Sequence, residues 1–143
     1  KELIINAAGK NLSPSNIEQT LKASHPLIGQ AVVLGDRRPY NVALLVLDPD
    51  VCAAWAEQVG LPDPSTAALS VDQKVQEQVA TAIEEANSRL SRVEQVKRYR
   101  ILPTDWLPGG AELTPTMKLK RRPIAEKYAD VIEELYAAGD PDA

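Results

Sequence analysis

Two periods of apolar spacing alternate along this chain, and the points where one gives way to the other mark out its elements. Leu3, Ile4 and Ile5 form a short apolar run ending at Asn6, the pattern of an edge strand. Ala7-Ala8-Gly9-Lys10-Asn11 then reads as a tight turn in which Gly9 takes the positive φ. Ser13-Pro14-Ser15-Asn16-Ile17-Glu18 is a helix start, with Ser13 as N-cap, Pro14 at the first helical position and an acid in the early turns. That helix runs to about Ala23 and stops at His25-Pro26. Ile28 to Leu34 and Asn41 to Leu47 read as strands joined by Gly35-Asp36-Arg37-Arg38-Pro39, an antiparallel pair whose second member is apolar on both faces and so central. Asp48-Pro49-Asp50 caps a helix through about Val59, and Gly60 to Ser70 reads as a loop. Val71 to about Leu90 is a long amphipathic helix with Val75, Val79, Ile83 and Ala86 on one stripe. Val96 to Leu102 is a strand, and Pro123 to Tyr136 a closing helix with Ile124, Tyr128, Ile132 and Tyr136 at helical spacing. The pattern predicts an α+β domain: a small mixed or antiparallel sheet with an N-terminal hairpin-like turn, flanked by helices. The domain spans residues 1–138, and 139–143 is a frayed acidic tail.

At 143 residues, the chain holds one domain with a real core. The formal net charge of -4 argues against a general nucleic-acid binder. Lys118, Lys120, Arg121 and Arg122 nevertheless crowd into a short basic run, which suits a compact anion better than a duplex. Cys52 has no partner for a disulfide and reads as a small buried apolar residue. His25 alone, without a cysteine cluster, does not predict a zinc site. The longest apolar run, Val42 to Leu47, is far shorter than a spanning helix, and the default setting is cytoplasmic. Tyr40, Tyr99, Trp55 and Trp106 lie on different elements, a distribution that predicts packing rather than a base-stacking surface. The chain enters a strand-like run at once and without Met, which reads as a piece cut at a domain boundary.

Two separated stretches carry the chemistry. Lys1-Glu2-Leu3-Ile4-Ile5-Asn6-Ala7-Ala8-Gly9-Lys10-Asn11-Leu12-Ser13-Pro14 resembles the hinge-and-hairpin motif of the adenylate-forming superfamily. Its members include acyl-CoA synthetases, luciferases and peptide-synthetase adenylation domains. Leu113-Thr114-Pro115-Thr116-Met117-Lys118-Leu119-Lys120-Arg121-Arg122 resembles that superfamily's C-terminal lysine motif. Arg38 to Asp48, Val93 to Tyr99 and Gly110 to Arg122 are similar to the long-chain fatty acyl-CoA synthetase branch, so the resemblance covers essentially the whole chain.

The resemblance implies a two-step ligase. A fatty acid and ATP give an acyl-adenylate and diphosphate, and coenzyme A then displaces AMP to give the thioester. It implies a large N-terminal adenylation domain of the same polypeptide as partner, holding ATP, Mg²⁺ and the acyl chain, with this chain as the mobile domain that serves each step in turn. No cofactor is expected within this domain, which is expected to be inactive alone, and any peripheral membrane contact falls to the large domain. Lys118 aligns with the catalytic lysine, with Lys120 as the rival assignment and a solvated surface lysine as the bland reading. Met117 stands where much of the superfamily has Gly. Gly9 falls where the hairpin lines the tunnel for the pantetheine arm, or serves the turn alone. Lys10 meets a coenzyme A phosphate or is simply solvated. Lys1 falls at the hinge. Arg121 and Arg122 read as covering a helix start or pairing with acids. The alternatives are a fatty acyl-AMP ligase domain that hands its acyl group to a carrier protein, and a stand-alone anion-binding module with the same fold.

Overall fold

A computed structural model describes residues 2–143, so the hinge position Lys1 lies outside the described residues. Among the described residues, five strands and six helices follow in chain order: β1 (Ile4–Ile5), β2 (Asn11–Leu12), α1 (Pro14–Ala23), β3 (Ile28–Leu34), β4 (Asn41–Leu47), α2 (Pro49–Val59), α3 (Thr66–Ser70), α4 (Gln73–Ser88), β5 (Val96–Leu102), α5 (Arg121–Lys127) and α6 (Ala129–Ala137). A 3₁₀ turn, Arg92–Glu94, precedes β5. The α+β class holds. No described helix is long and apolar enough to cross a membrane.

The main sheet has the order β3-β4-β5, with β4 antiparallel to β3 and parallel to β5. The parallel step needs a crossover, and α2, α3 and α4 supply it. All seven residues of β4 are buried, as its unbroken apolar run predicts for a strand covered on both faces. The period of two then sorts side chains between two cores. Ala31, Val33, Ala43, Leu45 and Leu47 pack with α1, α2 and α4, whereas Val32, Val42, Leu44 and Val46 pack with Trp106, Leu113, α5 and α6. Each fully buried Val or Leu contributes about 1.5–3 kcal/mol by leaving water.

Local chemistry sets most boundaries. Ser13 accepts from the Asn16 amide, Asp48 from Asp50 and Val51, and Asp72 from Val75, each capping a helix where it starts. The buried Asn41 side chain donates to the Val93 and Glu94 carbonyls at 3.2 and 3.1 Å, fixing the entry to β5. Gly35 leaves room for it, since a Cβ there would sit 2.1 Å from Asn41 Oδ1.

Three expectations need correcting. Thr66–Ser70, inside the predicted loop, is a short helix capped by Ser65, whose hydroxyl accepts from the Ala68 amide. The closing helix is two helices: Tyr128, at φ -106 and ψ 22, breaks it between α5 and α6. Residues 139–143 are tied down rather than frayed, because Lys97 pairs with Asp142 at 2.7 Å and Arg98 donates to the carbonyls of Gly139 and Ala138.

Candidate functional site

The lysine motif folds into a small hairpin. Leu113 bridges Leu119, and Lys120 N–H donates to the Glu112 carbonyl at 2.8 Å. At the tip, Thr114 N–H donates to the Lys118 carbonyl (2.8 Å) and Met117 N–H to the Thr114 carbonyl (2.9 Å). This is a three-residue loop that closes through a left-handed residue, here Met117 at φ 70. Thr114 Oγ1 accepts from the Lys118 amide at 3.0 Å, so the backbone of Lys118 is held twice while its side chain is exposed.

Of the basic residues beside it, Lys120 and Arg121 are spoken for, while Arg122 is exposed and, among the described residues, makes no ion pair. Lys120 Nζ donates to the Gly110 carbonyl at 3.0 Å. Arg121 makes a fork onto both carboxylate oxygens of Glu18, each at 2.6 Å, and also pairs with Glu2. Among the described residues, the Lys118 ammonium makes neither an ion pair nor a side-chain hydrogen bond. A uniformly solvated basic face would leave every cation free; here Lys120 and Arg121 are consumed while the Lys118 ammonium at the hairpin is not.

Two buried carboxylates brace the hairpin. Glu18, 4% exposed, also accepts from the Val33 amide at 2.8 Å, and its fork with Arg121 joins α1 and β3 to the start of α5. Glu18 raises the Arg121 pKa, chiefly through its hydrogen bond, so the guanidinium stays charged. Removing one partner of such a pair leaves a buried charge unmatched and costs about 3–5 kcal/mol. Glu112, 5% exposed, accepts from Lys127 Nζ (2.6 Å) and the Tyr128 hydroxyl (2.9 Å), and Trp106 Nε1 donates to that same hydroxyl at 3.1 Å. Burial raises the Tyr128 pKa, so the hydroxyl keeps the proton it donates.

The other motif makes a matching loop. Asn6 N–H donates to the Lys10 carbonyl at 3.0 Å and Gly9 N–H to the Asn6 carbonyl at 2.9 Å, with Gly9 at φ 87. Asn6 Oδ1 accepts from the amides of Ala8 and Lys10. A Cβ on Gly9 would meet nothing within 4 Å, so the demand for glycine inside this domain is the φ alone. The hairpin docks on the β3–β4 turn through Ala7 N–H to the Arg38 carbonyl (2.9 Å) and Arg37 N–H to the Ile5 carbonyl (2.7 Å). Gly9 and Lys10 are exposed. They do not join Lys118 in its groove, which is lined by Glu2, Glu18, Gln19, Lys22, Met117 and Arg121 among others.

The remaining expectations fall into place. Cys52 is fully buried, and burial, with Asp48 and Asp105 nearby, pushes its thiol up to about 11. Tyr40 and Trp106 pack within the core beside α6 and Tyr128, and Trp55 and Tyr99 against the opposite core. Reading the chain alone misses Glu18 and Glu112 as braces. Glu18 falls on the apolar stripe of α1 between Ile17 and Leu21, a position where a carboxylate needs a partner.

A model of the AMP-binding enzyme C-terminal domain matches residues 1–140. The chain belongs to that family. Among curated relatives, this AMP-binding C-terminal domain is 59% identical over 138 residues to the putative fatty-acid–CoA ligase fadD11 of Mycobacterium tuberculosis, covering 96% of this chain and 24% of that protein. It is 41% identical over 137 residues to the long-chain-fatty-acid–CoA ligase FadD15 of the same species, covering 95% of this chain and 23% of that one. The chain thus spans about a quarter of the length of the curated relatives it matches. Its fold is similar to part of the A-PCP didomain of a carboxylic acid reductase from Segniliparus rugosus, solved with AMP. There the TM-score is 0.71 at 20% identity, over 96% of this chain and 18% of that one.

Proposed function

We propose that this domain is the mobile C-terminal part of a long-chain fatty-acid–CoA ligase, with a large N-terminal adenylation domain as its partner. The observation that carries the reading is the lysine hairpin, whose tip presents one uncommitted ammonium on a backbone held from both sides. In the first step a fatty-acid carboxylate oxygen attacks the α-phosphorus of ATP and diphosphate leaves. Negative charge grows on the α-phosphate, and Lys118 can reach both it and the attacking carboxylate from its flexible stem. Lys120 is a poor rival, since its ammonium already caps the Gly110 carbonyl.

In the second step the thiol of coenzyme A attacks the acyl carbonyl and AMP leaves. The Gly9 hairpin serves this step: its bare tip lets a narrow pantetheine arm pass close to backbone, and Lys10 beside it offers a charge to a phosphate. Rotation about Lys1 exchanges the two hairpins. The described residues contain no group of three or more His, Cys, Asp or Glu side chains able to hold a metal ion. The family resemblance assigns Mg²⁺ and the nucleotide cradle to the large domain, and no step here runs through them.

Turnover of the polypeptide that carries this domain tests the reading. With a long-chain fatty acid and ATP it should release AMP and acyl-CoA only when coenzyme A is present. Accumulation of acyl-adenylate with no acyl-CoA would make it a fatty acyl-AMP ligase instead.

A further inference from the structure

We propose that Glu2 and Arg121 form a latch that confines the domain's pivot to one residue, making both of them positioning residues for the rotation. This rests on the reading of a hinge at Lys1. The Arg121 guanidinium serves two carboxylates of unequal standing. The inner one, Glu18, has a side chain 6% exposed, takes both terminal nitrogens at 2.6 Å and is itself tied to the Val33 amide. That half holds Arg121 in place whether or not Glu2 is present. The outer one, Glu2, is 58% exposed and pairs with Nε. Arg121 is thus a fixed post, and Glu2 is fastened to it.

The position of the latch gives it a purpose. The first strand begins at Ile4, which is buried, while Leu3 is 57% exposed. Between the hinge position and the first core residue lie two surface residues, and the ion pair holds the first of them to the body. Without it the change in φ and ψ spreads over residues 1–3, and the two end poses blur. Arg121 also opens α5, three residues after Lys118, and Glu2, Lys118 and Arg121 line one groove. The pivot and the lysine hairpin are therefore registered to the same guanidinium, and Lys118 inherits whatever precision the latch gives the hinge.

Amide hydrogen exchange on this chain reads the latch directly. Glu2→Gln is expected to raise exchange at Leu3 and Ile4 about two- to fivefold, the range an exposed ion pair supports. The melting temperature should not change, since the Glu18–Arg121 fork remains. Raising sodium chloride to about 1 M should produce the same rise in the native chain and none in Glu2→Gln, a response that a general loosening would not show. In the polypeptide that carries this domain, Glu2→Gln should lower kcat for adenylation about two- to fivefold at unchanged KM for ATP. Lys118→Ala is run beside it. If Lys118→Ala slows adenylation by about 10²–10³ while Glu2→Gln leaves exchange or kcat untouched, the latch is overturned alone. If Lys118→Ala leaves the adenylation rate unchanged, the reading of the domain itself is overturned.

Discussion

The loop from Asn6 to Lys10 and the loop from Thr114 to Lys118 are built to one plan on opposite ends of the chain. In each, the first residue's amide donates to the carbonyl of a lysine four positions on. The fourth residue donates back to the first carbonyl, and a side-chain oxygen of the first residue accepts from the lysine amide. In each, the residue before the lysine is left-handed, at φ 87 for Gly9 and φ 70 for Met117. What differs is the side chain at that residue. Gly9 leaves the tip bare, whereas Met117 keeps a large apolar group there, 47% exposed, at a backbone cost of about 1–2 kcal/mol. The anchoring differs too. The first loop is docked by backbone hydrogen bonds to the β3–β4 turn, and the second is braced by the buried carboxylates Glu18 and Glu112. One hydrogen-bond pattern thus delivers two lysines, and the roles proposed for them diverge through what surrounds each: open space at one tip, a braced hairpin carrying an unpaired ammonium at the other.

The largest expected effect separates the two lysines. In the polypeptide that carries this domain, Lys118→Ala should slow adenylate formation by about 10²–10³, the value of a preorganised donor at a developing charge. Thioester formation from preformed adenylate should stay near normal. Lys10→Ala should spare adenylation and at most raise KM for coenzyme A. Isotope exchange between diphosphate and ATP follows the first step, and consumption of synthetic adenylate the second. Equal slowing of both steps by Lys118→Ala would break the division of labour between the hairpins.

Next comes Gly9. Because a Cβ there meets nothing within 4 Å, Gly9→Ala tests the φ alone and Gly9→Leu adds bulk that points away from the domain. Both should lose about 1–2 kcal/mol of stability by calorimetry. Only Gly9→Leu should also suppress transfer to coenzyme A, by about 10² if the thiol is displaced by an ångström, while diphosphate exchange continues. Equal loss of transfer in both variants would mean that the glycine serves the turn and nothing more.

How much of this could be read from the chain depends on how far apart the interacting residues lie. The caps of α1, α2 and α4, the strand limits of β3, β4 and β5, and the positive φ at Gly9 are local, and the residue patterns state them. The short helix at Thr66–Ser70 was hidden by Pro62 and Pro64, which read as loop, and the break at Tyr128 lay within an unbroken apolar stripe. The Tyr128 hydroxyl donates to Glu112, sixteen positions away, a contact that no local pattern announces. Glu18 reads locally as an ordinary early-turn acid, since its guanidinium partner lies 103 positions downstream. The kinship of the two loops stayed hidden for a simpler reason: glycine advertises a left-handed residue and methionine does not. The parallel placement of β5 depends on the crossover's path and leaves no mark in the strand itself.

Thr114 tests the side-chain clasp that the second loop shares with Asn6 in the first. Thr114→Val keeps the shape and removes the acceptor for the Lys118 amide, an exposed hydrogen bond worth about 0.5 kcal/mol, the low end of the usual range. The expected result is faster amide exchange at Lys118, and adenylation reduced by the fraction of time the loop spends open. An unchanged exchange rate would mean that the Thr114 N–H to Lys118 carbonyl bond holds the tip unaided.

A comparably small effect, and the one that bears most directly on why the loops differ, is that of Met117→Gly. Two terms oppose each other. Relief of the left-handed backbone gains about 1–2 kcal/mol, whereas glycine's extra freedom in the unfolded chain costs about 0.5–1 kcal/mol. The methionine side chain, half in solvent, has little packing to lose. The balance favours the folded state by about 0.5–1 kcal/mol, which for a domain of this size raises the melting temperature by about 2–4 °C. A fall in melting temperature would show that Met117 packs productively at the tip, and the two loops would then differ in their own stability as well as in their surroundings. If instead the domain melts higher while the longer polypeptide adenylates more slowly, the strain at Met117 is the cost of holding Lys118 in one place.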